Sequence, residues 1–351
     1  MIDPFDPDRA PAPDRESTHG PDPGADTGSE RAPDCDSFDV DRLPPPAPSA
    51  WSERQAPSAR VPNIGHAVIF LSFALLVLLL CQLVLLAPRA GHSMQASAQV
   101  VMQPKLQIAT MAVAYSATLG FCFLVFPLFW RRGFLAGVHW DGSKALRLAG
   151  RLLPLGFALG LTVQAISSLI PMPKSIPMDE FFRSRSDVWL VTLFGTTLAP
   201  IFEELSFRGF LLPAFAIALD WLGPLLRYLS DFSLARLRGK EPPRHMHLFA
   251  EARSAGLGAD SDNLTFRSRT AAVGASILTS ILFALLHAEQ LAHAWAAVIV
   301  LFFVSLALTV VRVRTRSVAC STLVHASYNL SVFVTLFFAT GGYRHLEKMT
   351  Q

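Results

Sequence analysis

The sequence predicts an all-α fold, a polytopic transmembrane helical bundle of about seven spans behind a disordered N-terminal tail. Three observations carry this expectation. The 351-residue chain is 51% hydrophobic and only 16% charged, with a mean hydropathy of +0.38, which leaves too little polar surface for a water-soluble protein of this length. Its apolar residues gather in long runs, and about 20 such residues cross the hydrocarbon of a bilayer. Residues 1–60 are the opposite. They hold twelve of the 25 prolines and many aspartates, without apolar periodicity, so they cannot bury enough surface to offset chain entropy. They also lack the basic start and early apolar region of a signal peptide.

The first span, 64–87, is a Leu/Val core without charge. The second covers 107–129, and the third, 148–170, follows Lys144, Arg147 and Arg151. A long apolar stretch, 188–225, is interrupted by Pro200, Glu203, Glu204, Pro213 and Asp220. Spans at 270–288, 293–311 and 318–340 complete the set. Gly and Pro inside such runs are tolerated because neighbouring helices satisfy the freed backbone groups. A polar insert, 226–268, is too long for a tight helix connection. Its His245 and His247 read as part of a solvated loop, since no Cys or carboxylate stands at metal-ligand spacing. The domains are therefore 1–60, an acidic Pro-rich tail; 61–180, the N-terminal helices; and 188–340, a core that contains the insert. No internal repeat is visible.

The tail is net acidic and the remainder net basic. The basic residues flank apolar runs, so the partner they imply is the lipid bilayer and not nucleic acid. Cys35, Cys81, Cys122 and Cys320 have neither metal-ligand nor disulfide-framework spacing and read as small hydrophobes. With seven spans and the N-terminus inside, 22 basic residues fall on the inner side and seven on the outer. Splitting 188–225 into two crossings turns this into 13 against 16. Loop charge thus favours seven spans, a long, broken or tilted fourth one, and a multi-pass protein of the cell (plasma) membrane with a cytoplasmic N-terminus. Counting along the helices places Glu203 near mid-membrane and His287 near the outer end of the fifth span. For the two to meet, the fifth span must start later or the fourth must bend at Pro200.

Polar residues inside these runs are the informative ones, because an intramembrane charge is expensive and usually marks function. Glu204 and Arg208 stand four apart, acid first, on one helix face, which is the favourable order for an internal ion pair. Glu203 is rotated by about 100° from Glu204, so one acid is balanced and the other is free to act as a general base. His287 closes the fifth span after Phe283. In the seventh, His325 and Asn329 lie one turn apart, where an imidazole and an amide can donate two hydrogen bonds to one developing oxyanion. Each is weak alone, since His and Asn also glue membrane helices together. A free acid, two histidines and an asparagine on three helices are harder to explain by packing.

Glu203-Glu204-x-x-x-Arg208-Gly209, Phe283-x-x-x-His287 and His325-x-x-x-Asn329, in this order on apolar helices, resemble the three motifs of the CPBP family. These are the CAAX prenyl endopeptidases and bacteriocin-processing (Abi-like) intramembrane proteases. The resemblance covers about 188–335. It implies that Glu203 activates water with help from His287, that His325 and Asn329 stabilise the oxyanion, and that Glu204 and Arg208 are structural. Family members are often called metalloproteases, and Glu203, His287 and His325 are the residues that would hold a divalent metal such as zinc. A metal-free glutamate mechanism fits the same residues, and no His-Glu-x-x-His helix is present. The insert is longer than is usual for the family, and Arg312-Val-Arg-Thr-Arg316 stands where a glycine-rich stretch is often seen.

The expected function is hydrolysis of a peptide bond in a membrane-associated protein or peptide. A proton- or ion-coupled transporter would use the same intramembrane Glu and His, although the inverted repeat of many transporters is missing. A non-catalytic immunity or scaffold protein of the same fold is the third reading.

Overall fold

The computed structural model describes residues 61–86, 103–171, 173, 177–239, 241 and 268–346, all within the unit Ala56–Gln351. The tail 1–60, His245 and His247 lie outside the described residues. Among those described, every regular element is helical, and seven helices are long and apolar enough to cross a membrane. The protein is an integral, multi-pass membrane protein.

Six of the spans are simple helices: Ile64–Leu86, Pro104–Trp130, Ala149–Ser167, Arg269–Leu286, Trp295–Thr315 and Val318–Ala339. Leu75, Leu79 and Leu83 of the first lie exposed along one face, as a surface solvated by lipid tails requires.

The fourth span is different. It runs from Arg185 to Leu237, 53 residues, which would be roughly 80 Å of straight helix. It is broken instead. A first helix, Arg185–Thr196, ends where Thr197 takes φ −124° and ψ −84°. A second, Leu198–Glu204, passes into a π turn over Leu205–Leu211, and α-helix resumes at Leu212. Two prolines account for this. The ring of Pro200 clashes with the carbonyl four residues earlier, so the helix fails in the turn before it. Pro213 has no N–H for the carbonyl of Gly209, and the Leu212 N–H bonds Phe207 five residues back. The bend expected at Pro200 therefore falls at Thr197. The span also runs twelve residues beyond the expected end, through Pro224 to Leu237, so the start of the 226–268 segment is helical; 242–267 lie outside the described residues.

The seventh span packs against the third, fourth and sixth. Its contact with the third depends on Gly156 and Gly160, a small-xxx-small pair that lets two backbones approach. A Cβ on Gly156 would overlap the Val324 carbonyl and Ser327, and one on Gly160 would overlap Ser331 and the Tyr328 carbonyl. Ser327 uses the closeness to donate to the Leu153 carbonyl at 2.7 Å. The start of the seventh span is pinned by Ser317, whose hydroxyl accepts from Cys320 N–H and exchanges hydrogen bonds with Asp141. Across the bundle, Phe70, Phe126, Trp130, Phe134 and Phe210 form an aromatic cluster joining the first, second and fourth spans.

Two expectations follow. Gly156→Ala lowers the unfolding midpoint in detergent by the equivalent of about 1–3 kcal/mol of overpacking. Gly120→Ala, where nothing lies within 4 Å of an added Cβ, leaves it unchanged or slightly raised; equal effects at both sites would refute the close-approach account. Seven crossings also put the two ends of the bundle on opposite faces, so reporter fusions after residues 63 and 346 should give opposite compartment signals.

Candidate active site

The site begins with a buried ion pair. Glu204 and Arg208 have no exposed surface, and Arg208 Nη1 donates to Glu204 Oε1 at 2.8 Å. Two charges held away from water are costly unless their remaining hydrogen-bonding groups are met. Arg208 meets part of that demand with its second amino group, which donates to the Ser305 carbonyl at 2.8 Å and to its hydroxyl at 2.7 Å. The guanidinium carbon lies over the Phe283 ring, 5.0 Å from its centre, a favourable cation–π contact when desolvated. One arginine thereby joins the fourth, fifth and sixth spans.

The same carboxylate reaches the seventh span. His325 Nδ1 is 3.0 Å from Glu204 Oε1; a carboxylate accepts, so this nitrogen carries the proton. The ring is thereby turned with Nε2 toward Glu203, 3.8 Å from Oε2. His287 is arranged in parallel fashion. Its Nδ1 lies 2.7 Å from the Phe283 carbonyl, which also only accepts, so Nε2 is left to face the Glu203 oxygen at 4.0 Å. The break at Thr197 and the position of His287 at the end of its helix bring together residues that straight helices would keep apart. Glu203 and His287 each expose 22% of their side chains, against 5% for His325. The site therefore opens on the Glu203 and His287 side and is closed behind Glu204.

Asn329 is placed differently from a free oxyanion donor. Its amide nitrogen donates to the Gly195 carbonyl at 2.6 Å, two residues before the break, and one N–H remains. On the second span, Tyr115 stacks on Phe202 with ring centres 3.7 Å apart, forming a wall beside Glu203. Sequence reading had no signal for Ser305, Tyr115 or Gly195. A lone serine, tyrosine or glycine in an apolar helix is ordinary, and only the fold gives it a partner.

For bonds of about 2.0 Å, two ligands on a tetrahedral zinc stand about 3.3 Å apart. The Glu203 oxygen is 3.8 and 4.0 Å from the two Nε2 atoms, and no group of three or more His, Cys, Asp or Glu among the described residues is arranged to hold a metal ion. Glu203, His287 and His325 as placed do not fit one zinc ion. The same separations suit water, because two hydrogen bonds of about 2.8 Å meeting near a right angle span about 4.0 Å.

The sequence was also compared with known proteins. No curated protein and no solved structure matches it. A family model described as Type II CAAX prenyl endopeptidase Rce1-like matches residues 185–331, the stretch that holds the two glutamates, Arg208, both histidines, Ser305 and Asn329. Through these residues the chain matches the Rce1-like type II CAAX prenyl endopeptidases, in keeping with the CPBP resemblance of its three motifs, and the match supports an intramembrane endopeptidase.

Proposed function

We propose that the protein hydrolyses a peptide bond of a membrane-associated protein or peptide with a water activated by Glu203. The observation that carries this reading is the convergence of both imidazole Nε2 atoms on one partly exposed carboxylate oxygen, at 3.8 and 4.0 Å. A water between Glu203 and His287 directs one proton to each, which leaves an oxygen lone pair for the scissile carbonyl. Glu203 takes the first proton as general base. The tetrahedral oxyanion that forms needs donors. His325, when it carries both ring protons, donates one to Glu204 and the other to that oxygen. The N–H of Asn329 not spent on Gly195 is the second donor. Collapse of the intermediate breaks the C–N bond, and the proton held by Glu203 passes to the departing amine.

In this scheme Glu204 and Arg208 do not touch the substrate. Glu204 sets the tautomer and direction of the His325 ring, as a carboxylate orients a working imidazole in other active sites, and Arg208 is its counter-charge in a place without water. The surplus of basic residues in the loops assigned to the inner face supports a cytoplasmic N-terminus.

Replacing Glu203 with Gln in purified, detergent-solubilised protein should cut turnover of a cleavable membrane-anchored peptide by about 10²–10⁴-fold. The unfolding midpoint should stay unchanged, because Glu203 is partly exposed and makes no close ion pair. Wild-type turnover by this variant would end the proposal. His287→Gln and His325→Gln should each lower kcat by about 10²-fold or more. The His325 variant alone should also lose thermal stability, since it removes a hydrogen-bond donor from buried Glu204.

A further inference from the structure

The mechanism leaves one deeply buried charge unused. Arg312, near the end of the sixth span, is 2% exposed, and neither its Nε nor its Nη2 has a hydrogen-bond partner. A lone guanidinium inside a membrane protein is expensive, and such residues face a partner or a polar cavity. Arg312 lies two helical turns after Ser305 on the same buried stripe, with Leu308 and Thr309 between them. Helical side chains lean toward the N-terminal end, which for Arg312 is the direction of the serine that anchors Arg208. Glu204 of the fourth span and Cys320 of the seventh are near enough to act on its charge.

Glu204 is incomplete in a matching way. Its Oε1 receives Arg208 and His325, while Oε2 is buried without a hydrogen-bond partner. Ser321 stands beside this carboxylate but spends its hydroxyl proton on the Val318 carbonyl at 3.0 Å. Charge counting points the same way. Glu203 and Glu204 bring two negative charges, and Arg208 supplies one positive charge.

We propose that Arg312 is a positioning residue, the second counter-charge of the acid pair, facing Glu204 from the sixth span and through it holding the His325 ring in place. Its consequence for turnover rests on the endopeptidase reading above; its coupling to Glu204 does not.

The experiment is a double-mutant cycle on the full chain in detergent, with Arg312→Met, Glu204→Gln and the double variant, and with Arg312→Lys as the conservative control. Arg312→Met should lower the unfolding midpoint and reduce kcat about tenfold with little change in KM. Arg312→Lys should recover most of both losses, and Arg312→Met should cost less stability in the Glu204→Gln background than in the wild type, because the acid it would leave uncompensated is already neutral there. Wild-type stability and kcat in Arg312→Met, a lysine variant no better than the methionine one, or strictly additive effects in the cycle would overturn the proposal. If Arg312→Met does not fold, folding of the double variant supports the coupling, and failure of both the double and the lysine variants refutes it. A wild-type protein that cleaves no peptide would instead count against the endopeptidase reading, with the unfolding cycle still readable.

Discussion

A carboxylate and a guanidinium, both without contact with solvent, set the terms for the rest of this bundle. Glu204 and Arg208 belong to one stretch of the fourth span, so their mutual bond alone would not organise anything beyond it. The organisation comes from what each still needs once that bond is made. Arg208 has donors left over and takes them to Ser305 and the face of Phe283. Glu204 has acceptor capacity left over and takes it to His325. Four spans meet at one pair because a half-satisfied buried charge costs several kcal/mol. Breaking any one of these contacts would leave the pair in that condition.

Backbone irregularity serves the same end. A regular helix through 185–237 would carry Glu203 past the level of His287. Pro200 stops the helix at Thr197, and Pro213 widens the turn that holds Arg208. Asn329 then bonds the Gly195 carbonyl beside the break, so the residue that resembles an oxyanion donor also fixes the point at which the fourth span changes direction.

Much of this was legible in the sequence, for identifiable reasons. Six spans are visible because an apolar run of sufficient length admits one reading, and their ends fall within a few residues of the helices found. The Glu204–Arg208 pair is visible because spacing along one helix is local. What crosses between helices is another matter. The partner of His325 Nδ1, the serine behind Arg208 and the tyrosine wall have no local signature, and a lone polar residue among leucines has the same appearance whether it bonds its own helix or another. Of a later start for the fifth span and a bend at Pro200, the sequence offers both, and the structure has the bend. It lies three residues before the proline because proline disturbs the turn that precedes it. The end of the fourth span was misplaced for the opposite reason: Arg227 and Asp231 read as loop chemistry, yet they continue the helix to Leu237.

Glu203 and Glu204 are neighbours of the same type, and their different surroundings assign them different work. The roughly 100° between them on the helix sends one side chain into the packed interior, where arginine and histidine both bond its Oε1. The other goes to the edge of a cleft, where two imidazole nitrogens face it without reaching bonding distance. The first is unavailable to a substrate and the second is incomplete without a water or a substrate group. Buried and bonded within the protein, Glu204 belongs to the scaffold, and Glu203, held short of bonding distance at the cleft edge, is the one the proposed reaction uses. In this chain both conditions follow from a single helical step.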